Sequence, residues 1–223
     1  ILVFGGSTLY GAGVGNRDTT PAQLERILNK EQRTEVWNFG VCAFNTGQAA
    51  RLAAIKLAQL KPDLIILMIT NTGRRAFMGG PVYQQADNRH YFSANPFLYL
   101  ENFPPTRLAE GTHLSLLEWS ALYRSYSAWQ RVYTDPDTTY ADRADRKLVA
   151  DLEAAAAAEG VPVLYVLSPS RGSEIGPTDL GVPADRWLDL NEPGREADYS
   201  QAHPAPAILR EYAERIAAFV ATR

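Results

Sequence analysis

The sequence predicts a three-layer α/β domain, with a mostly parallel five-stranded sheet covered by helices on both faces. Three observations carry this. Strand-like and helical segments alternate along the chain. PDLIILMIT (62–70) and VPVLYVLS (161–168) are continuous apolar runs, as expected of strands covered on both faces. With 223 residues, 46% hydrophobic and 21% charged, the chain is long enough for one sizeable core.

ILVF (1–4) reads as the end of a buried strand. DTTPAQLERILNK (18–30) reads as a helix, with Thr20 as N-cap, Pro21 at the first helical position, and Leu24, Ile27 and Leu28 on one face. TEVWNF (34–39) alternates and stops at Gly40, as a strand does. NTGQAARLAAIKLAQL (45–60) is a second amphipathic helix, and 62–70 is predicted to be a central strand. Residues 71–112 are rich in Gly, Pro, Asn, Tyr and Phe and read as an insertion with structure of its own, set at about 73–112. Helical spacing returns over 112–133 and 142–160, the latter stopping at Gly160. A strand over 161–168, a short last strand over 185–190 and a closing helix over 203–221 complete one domain, 1–223.

Composition narrows the function. Net charge is −3 with no basic block, which argues against nucleic acid as a partner. No apolar run approaches the roughly 20 residues of a membrane helix. Cys42 is the single cysteine, so neither a disulfide framework nor a cysteine-based metal site is expected. It reads as a small buried hydrophobe. GAGVG (11–15) lacks dinucleotide-fingerprint spacing and is followed by no P-loop lysine. The chain begins at Ile1 inside an apolar run. Upstream residues are therefore expected, and with them export or a membrane anchor.

Ligands of open α/β sheets gather at the carboxyl ends of the strands. The residues there are Gly5, Gly6 and Ser7 after the first strand, Gly40 and Cys42 after the second, Thr70, Asn71 and Thr72 after the third, and Ser168 and Ser170 after the fourth. His203 precedes the last helix. A hydroxyl nucleophile, an imidazole base and donors for an oxyanion are the components of acyl transfer. Each residue also has a plainer reading. Ser7 could cap the next helix, Asn71 could be a turn residue, and His203 could mark a helix start.

Four blocks, in order and spanning nearly the whole chain, resemble those of the SGNH (GDSL) hydrolase superfamily: FGGSTLYG, VWNFGVCAFNT, ILMITNTG and QAHPAPAILREYA. The resemblance implies a flavodoxin-like three-layer sandwich and a serine esterase without metal or cofactor. Ser7 would be the nucleophile and His203 the base. Gly40 would give a backbone N–H and Asn71 a side-chain amide to the oxyanion. The implied substrates are acyl esters, including O-acetyl carbohydrates and lipid esters, with acyl transfer to a sugar hydroxyl as a variant of the hydrolysis.

Gly6 stands where GDS versions carry aspartate, as in the familiar GGS variants of the block. The sequence departs from the pattern in two places. The third block, usually Gly-x-Asn-Asp, reads Ile69-Thr70-Asn71-Thr72, so Ile69 and Thr72 stand in place of the usual Gly and Asp. Ser200 stands three residues before His203, where the family carries its orienting aspartate. The nearest acid, Asp198, lies two residues further back, about 6.6 Å along an extended chain. Three arrangements stay open: a Ser–His dyad held by Ser200 or a backbone carbonyl, which is favoured; a shifted acid from Asp198 or Glu196; or a weakened site in a domain that binds glycan or a protein partner. The insertion's aromatic residues, among them Phe77, Tyr83 and Tyr91, read as its own small core. His90 and His113 are assigned no role.

Overall fold

Residues 1–42, 44–69, 138–169, 175–192 and 203–222 are described by the structure, a computed structural model. The chain divides into two compact units, Ile1–Gly73 with Asp145–Arg223, and Arg74–Ala144. The second begins where the insertion is expected and runs on to Ala144, past the expected end at about 112.

The first unit is built on five parallel strands: β1 (Leu2–Gly5), β2 (Trp37–Gly40), β3 (Ile65–Ile69), β4 (Val163–Leu167) and β5 (Trp187–Asp189). Their order is β2-β1-β3-β4-β5. The continuous apolar run at 62–70 thus supplies the middle strand, as predicted, and every residue of β3 and β4 is buried. With helices on the sheet this is the flavodoxin-like three-layer arrangement. The chain leaves β1 toward β2 on one side and returns to β3 on the other, so the carboxyl ends of β1 and β3 flank the topological switch point.

The helices are α1 (Ser7–Tyr10), α2 (Thr20–Leu28), α3 (Thr46–Leu60), α4 (Thr138–Glu159), α5 (Pro177–Leu180) and α6 (Pro206–Val220). Strand alternation sorts the core into two faces. Val3, Ile66, Met68, Leu164 and Val166 form one cluster with Leu9 of α1, Leu24 of α2, and Leu209, Tyr212 and Ile216 of α6. Leu2, Phe4, Ile65, Leu67, Val163 and Tyr165 point to the other face, where α3 packs on β1 and β3. Tyr165 donates its hydroxyl to Glu153 of α4, placing that helix on the same face. Glu153 also holds Arg186, at 2.8 Å.

Helix starts follow local chemistry, with two shifts from the sequence reading. The N-cap of α2 is Thr19, not Thr20, so Pro21 falls at the second helical position. The Thr19 hydroxyl accepts from Ala22 N–H, whereas Thr20 donates its hydroxyl to Leu209 O at 3.3 Å and ties α2 to α6. The closing helix begins at Pro206 rather than 203. Pro204 and Pro206 each disfavour the helical conformation in the residue before them, and Ala205 is extended. Asn45 and Gln48 form a capping box on α3, and Asp145 of α4 accepts Gly47 N–H at 2.8 Å. Helix α4 stops before Gly160, whose φ of +69° matches the expected C-cap.

Candidate functional site

Ser7 emerges directly from the end of β1. Gly6 is extended and serves as the N-cap of α1, which puts Ser7 at its first helical position. Ser7 is therefore not the capping residue that the plainer reading made it. The Ser7 carbonyl accepts from Gly11 N–H at 3.1 Å and Ala12 N–H at 3.2 Å, closing the turn behind it. Gly11 does this with φ +87°, and a Cβ there would lie 2.4 Å from Thr19. The Ser7 side chain is half-buried. Its hydroxyl and its N–H are hydrogen-bonded to no other described residue.

Gly40 pairs in register with Gly5 at the ends of β2 and β1. Val41 N–H bonds to Gly5 O, so in the parallel ladder the Gly40 N–H faces away from β1, along the free edge of β2. Asn38 takes it: Oδ1 accepts the Gly40 N–H at 2.8 Å, while Nδ2 donates to Leu9 O of α1 at 3.1 Å. The need for glycine here is steric and internal to the fold. A Cβ on Gly40 would lie 2.3 Å from Tyr10 N and 2.7 Å from Leu9 C. The close approach is that of the α1 backbone. Sequence reasoning passed over Asn38, although an asparagine inside a strand two residues before its end was a signal in itself.

His203 is half-buried in the segment leading into α6. That helix lies against α2 and the 3₁₀ turn Asn16–Asp18. The Thr20–Leu209 bond levels the first turns of α2 and α6 at the carboxyl end of the sheet. Leu9, two residues after Ser7, and Leu209, six after His203, share one core cluster. The fold thus brings the hydroxyl and the imidazole to the same end and the same face of the sheet. No hydrogen bond joins them, and no described residue bonds the imidazole. Asn71, Ser200, Asp198 and Glu196 lie outside the described residues, as do His90, His113 and the insertion's aromatic residues.

Cys42 is exposed, not buried as expected. It stands two residues beyond the end of an edge strand, past the cover that the sheet gives its neighbours. Among the described residues, no cluster of three or more His, Cys, Asp or Glu could hold a metal ion, and no helix is long and apolar enough to cross a membrane. A scan against protein-family models finds no match to this chain, and a search of curated proteins finds none either.

Proposed function

We propose that this chain is a serine esterase of SGNH type, acting on acyl esters of small molecules or carbohydrates. The observation that carries the reading is the setting of Ser7. Its hydroxyl and N–H are both left unbonded by the described residues, at the switch point of a 2-1-3-4-5 sheet, with His203 at the same end and face. Ser7 Oγ attacks the ester carbonyl as His203 takes its proton. The tetrahedral oxyanion is met by Ser7 N–H and the Asn71 amide. The Gly40 N–H that the resemblance would add is held by Asn38 Oδ1 on the side of β2 away from β1, so it is not counted among these donors. His203 then protonates the leaving alcohol, and water, deprotonated by the same imidazole, frees the acyl group. Losing one such donor costs about 100- to 1,000-fold in rate.

A second reading is a catalytically silent SGNH-like domain that binds glycan or a protein partner. Two observations favour it: Ser7 and His203 share no hydrogen bond, and the Gly40 N–H is engaged by Asn38. Labelling by a fluorophosphonate probe and turnover of p-nitrophenyl acetate separate the two readings. The esterase reading expects both in the native chain and neither in Ser7→Ala. Folded native protein that resists the probe and turns over no ester supports the silent domain.

A further inference from the structure

We propose that Asn38 is a positioning residue that holds the Ser7 turn in place by bracing α1 against the edge of β2. This rests on the reading of Ser7 as nucleophile.

Helix α1 is a single turn of four residues, far below the length at which a helix stands alone in water. Its placement must come from outside. Leu9 anchors it in the core at 1% exposure, and Gly40 lets its backbone come close. Those contacts are apolar or steric and carry no directional bond between the turn and β2. The Asn38 carboxamide supplies direction. One end accepts from Gly40 N–H on β2 and the other donates to Leu9 O, a carbonyl of the final turn that no i→i+4 bond within so short a helix can satisfy. The two partners fix which end is which: a flipped amide would set NH₂ against N–H and oxygen against oxygen. Asparagine is a poor strand residue, so its place in β2 needs a compensating role. Bracing the turn that presents the nucleophile supplies one. The same bond closes the outward amide of an edge strand.

Two variants divide the brace. Asn38→Asp keeps an acceptor for Gly40 N–H but turns a carboxylate oxygen toward Leu9 O. Asn38→Ala removes both arms. Leu152→Ala, fully buried on the opposite face, is the control for lost stability alone. Fluorophosphonate labelling of the full chain is followed well below each melting temperature, separating maximal rate from half-saturating probe concentration. Both Asn38 variants are expected to lower the maximal rate about 10- to 100-fold with half-saturation unchanged, as for a displaced reacting group. Leu152→Ala should stay within about 2-fold. Labelling of Asn38→Asp at the native rate overturns the proposal, as does slowing of all three variants in step with stability. Amide hydrogen exchange gives a readout that does not need an esterase. Faster exchange at Tyr10, Gly11 and Ala12 in both Asn38 variants, and not in Leu152→Ala, is the expected result. Unchanged exchange there refutes the brace. Native protein that takes no label at all, with the exchange result intact, removes the esterase reading and leaves Asn38 as the support of the turn.

Discussion

The two ends of the sheet leave different things open. At the carboxyl end, β1 and β2 close on glycines, and the chain presents the Ser7 hydroxyl and N–H, both unbonded by the described residues, and, on the same face, His203. At the amino end lies a cavity of about 920 Å³, walled by residues such as Ile1, Leu28, Trp37, Leu60, Pro62 and Val220 and fringed with Glu31, Arg33, Glu35 and Asp63. It is roomy, but its lining holds no serine, cysteine or histidine. Room follows from where helices happen to stop. Chemistry needs groups that can be activated, and parallel topology collects these where strands hand over to loops. Among the described residues, this cavity and the better chemistry lie at opposite ends.

The sharpest way to break this contrast is to empty each end in turn. His203→Gln should cut p-nitrophenyl acetate turnover by about 10⁴- to 10⁶-fold, as loss of a catalytic base does in serine hydrolases. Trp37→Ser at the amino end should leave turnover within about 2-fold. Steady-state kinetics on both variants decides. If the histidine variant keeps its rate, the base is another group and the carboxyl end loses its claim. If the tryptophan variant loses its rate, the cavity belongs to the site.

A smaller effect tests what shapes the carboxyl end. In Gly40→Ala the added methyl meets backbone rather than a flexible side chain, so α1 must move. We expect a loss of about 1–3 kcal/mol in urea unfolding, the usual range for overpacking. Probe labelling of Ser7 should fall further than that loss explains, because the displaced element carries the proposed nucleophile. A variant with native stability and native labelling would mean that α1 adjusts freely, which weakens the case for a braced turn.

How far this end could be read from sequence depends on the range of the interaction. The runs at 62–70 and 161–168 announced β3 and β4 because burial on both faces is written into consecutive residues. The start of α2 was misplaced by one residue because Thr19 and Thr20 have the same capping chemistry. Only the packing of α6 against α2 draws Thr20 away to Leu209. The glycine at 40 was legible as a special position, but its cause was not, since the clashing backbone belongs to Tyr10, brought there by folding. Asn38 was hidden in the same way: both of its partners are invisible to a periodicity argument. His203 could be picked out, as one of three histidines, but its distance from the helix start required the joint effect of two prolines.

The smallest expected effect concerns a polar cluster far from the site. Tyr165, on β4, gives its hydroxyl to Glu153, whose other oxygen holds Arg186 at 2.8 Å. Burial, then the hydrogen bond to Glu153 and its charge, pushes the Tyr165 phenol well above its ordinary value, with Arg186 pulling weakly the other way. Tyr165→Phe leaves the Glu153–Arg186 pair intact, so its cost near neutral pH should be modest, about 1–2 kcal/mol. The pH dependence sharpens the test. A phenol that resists ionisation in the folded chain but ionises in the unfolded one, near pH 10, contributes stability below that pH and loses it as pH rises. The native chain should therefore destabilise above about pH 10 faster than Tyr165→Phe, and the gap between them should narrow. Ser7 labelling should be equal in the two, because this cluster fastens α4 to the far face of the sheet and touches nothing at the carboxyl end. A gap that widens with pH would mean that the phenol ionises more readily in the folded chain, and a change in labelling would mean that the two faces are coupled through the central strands.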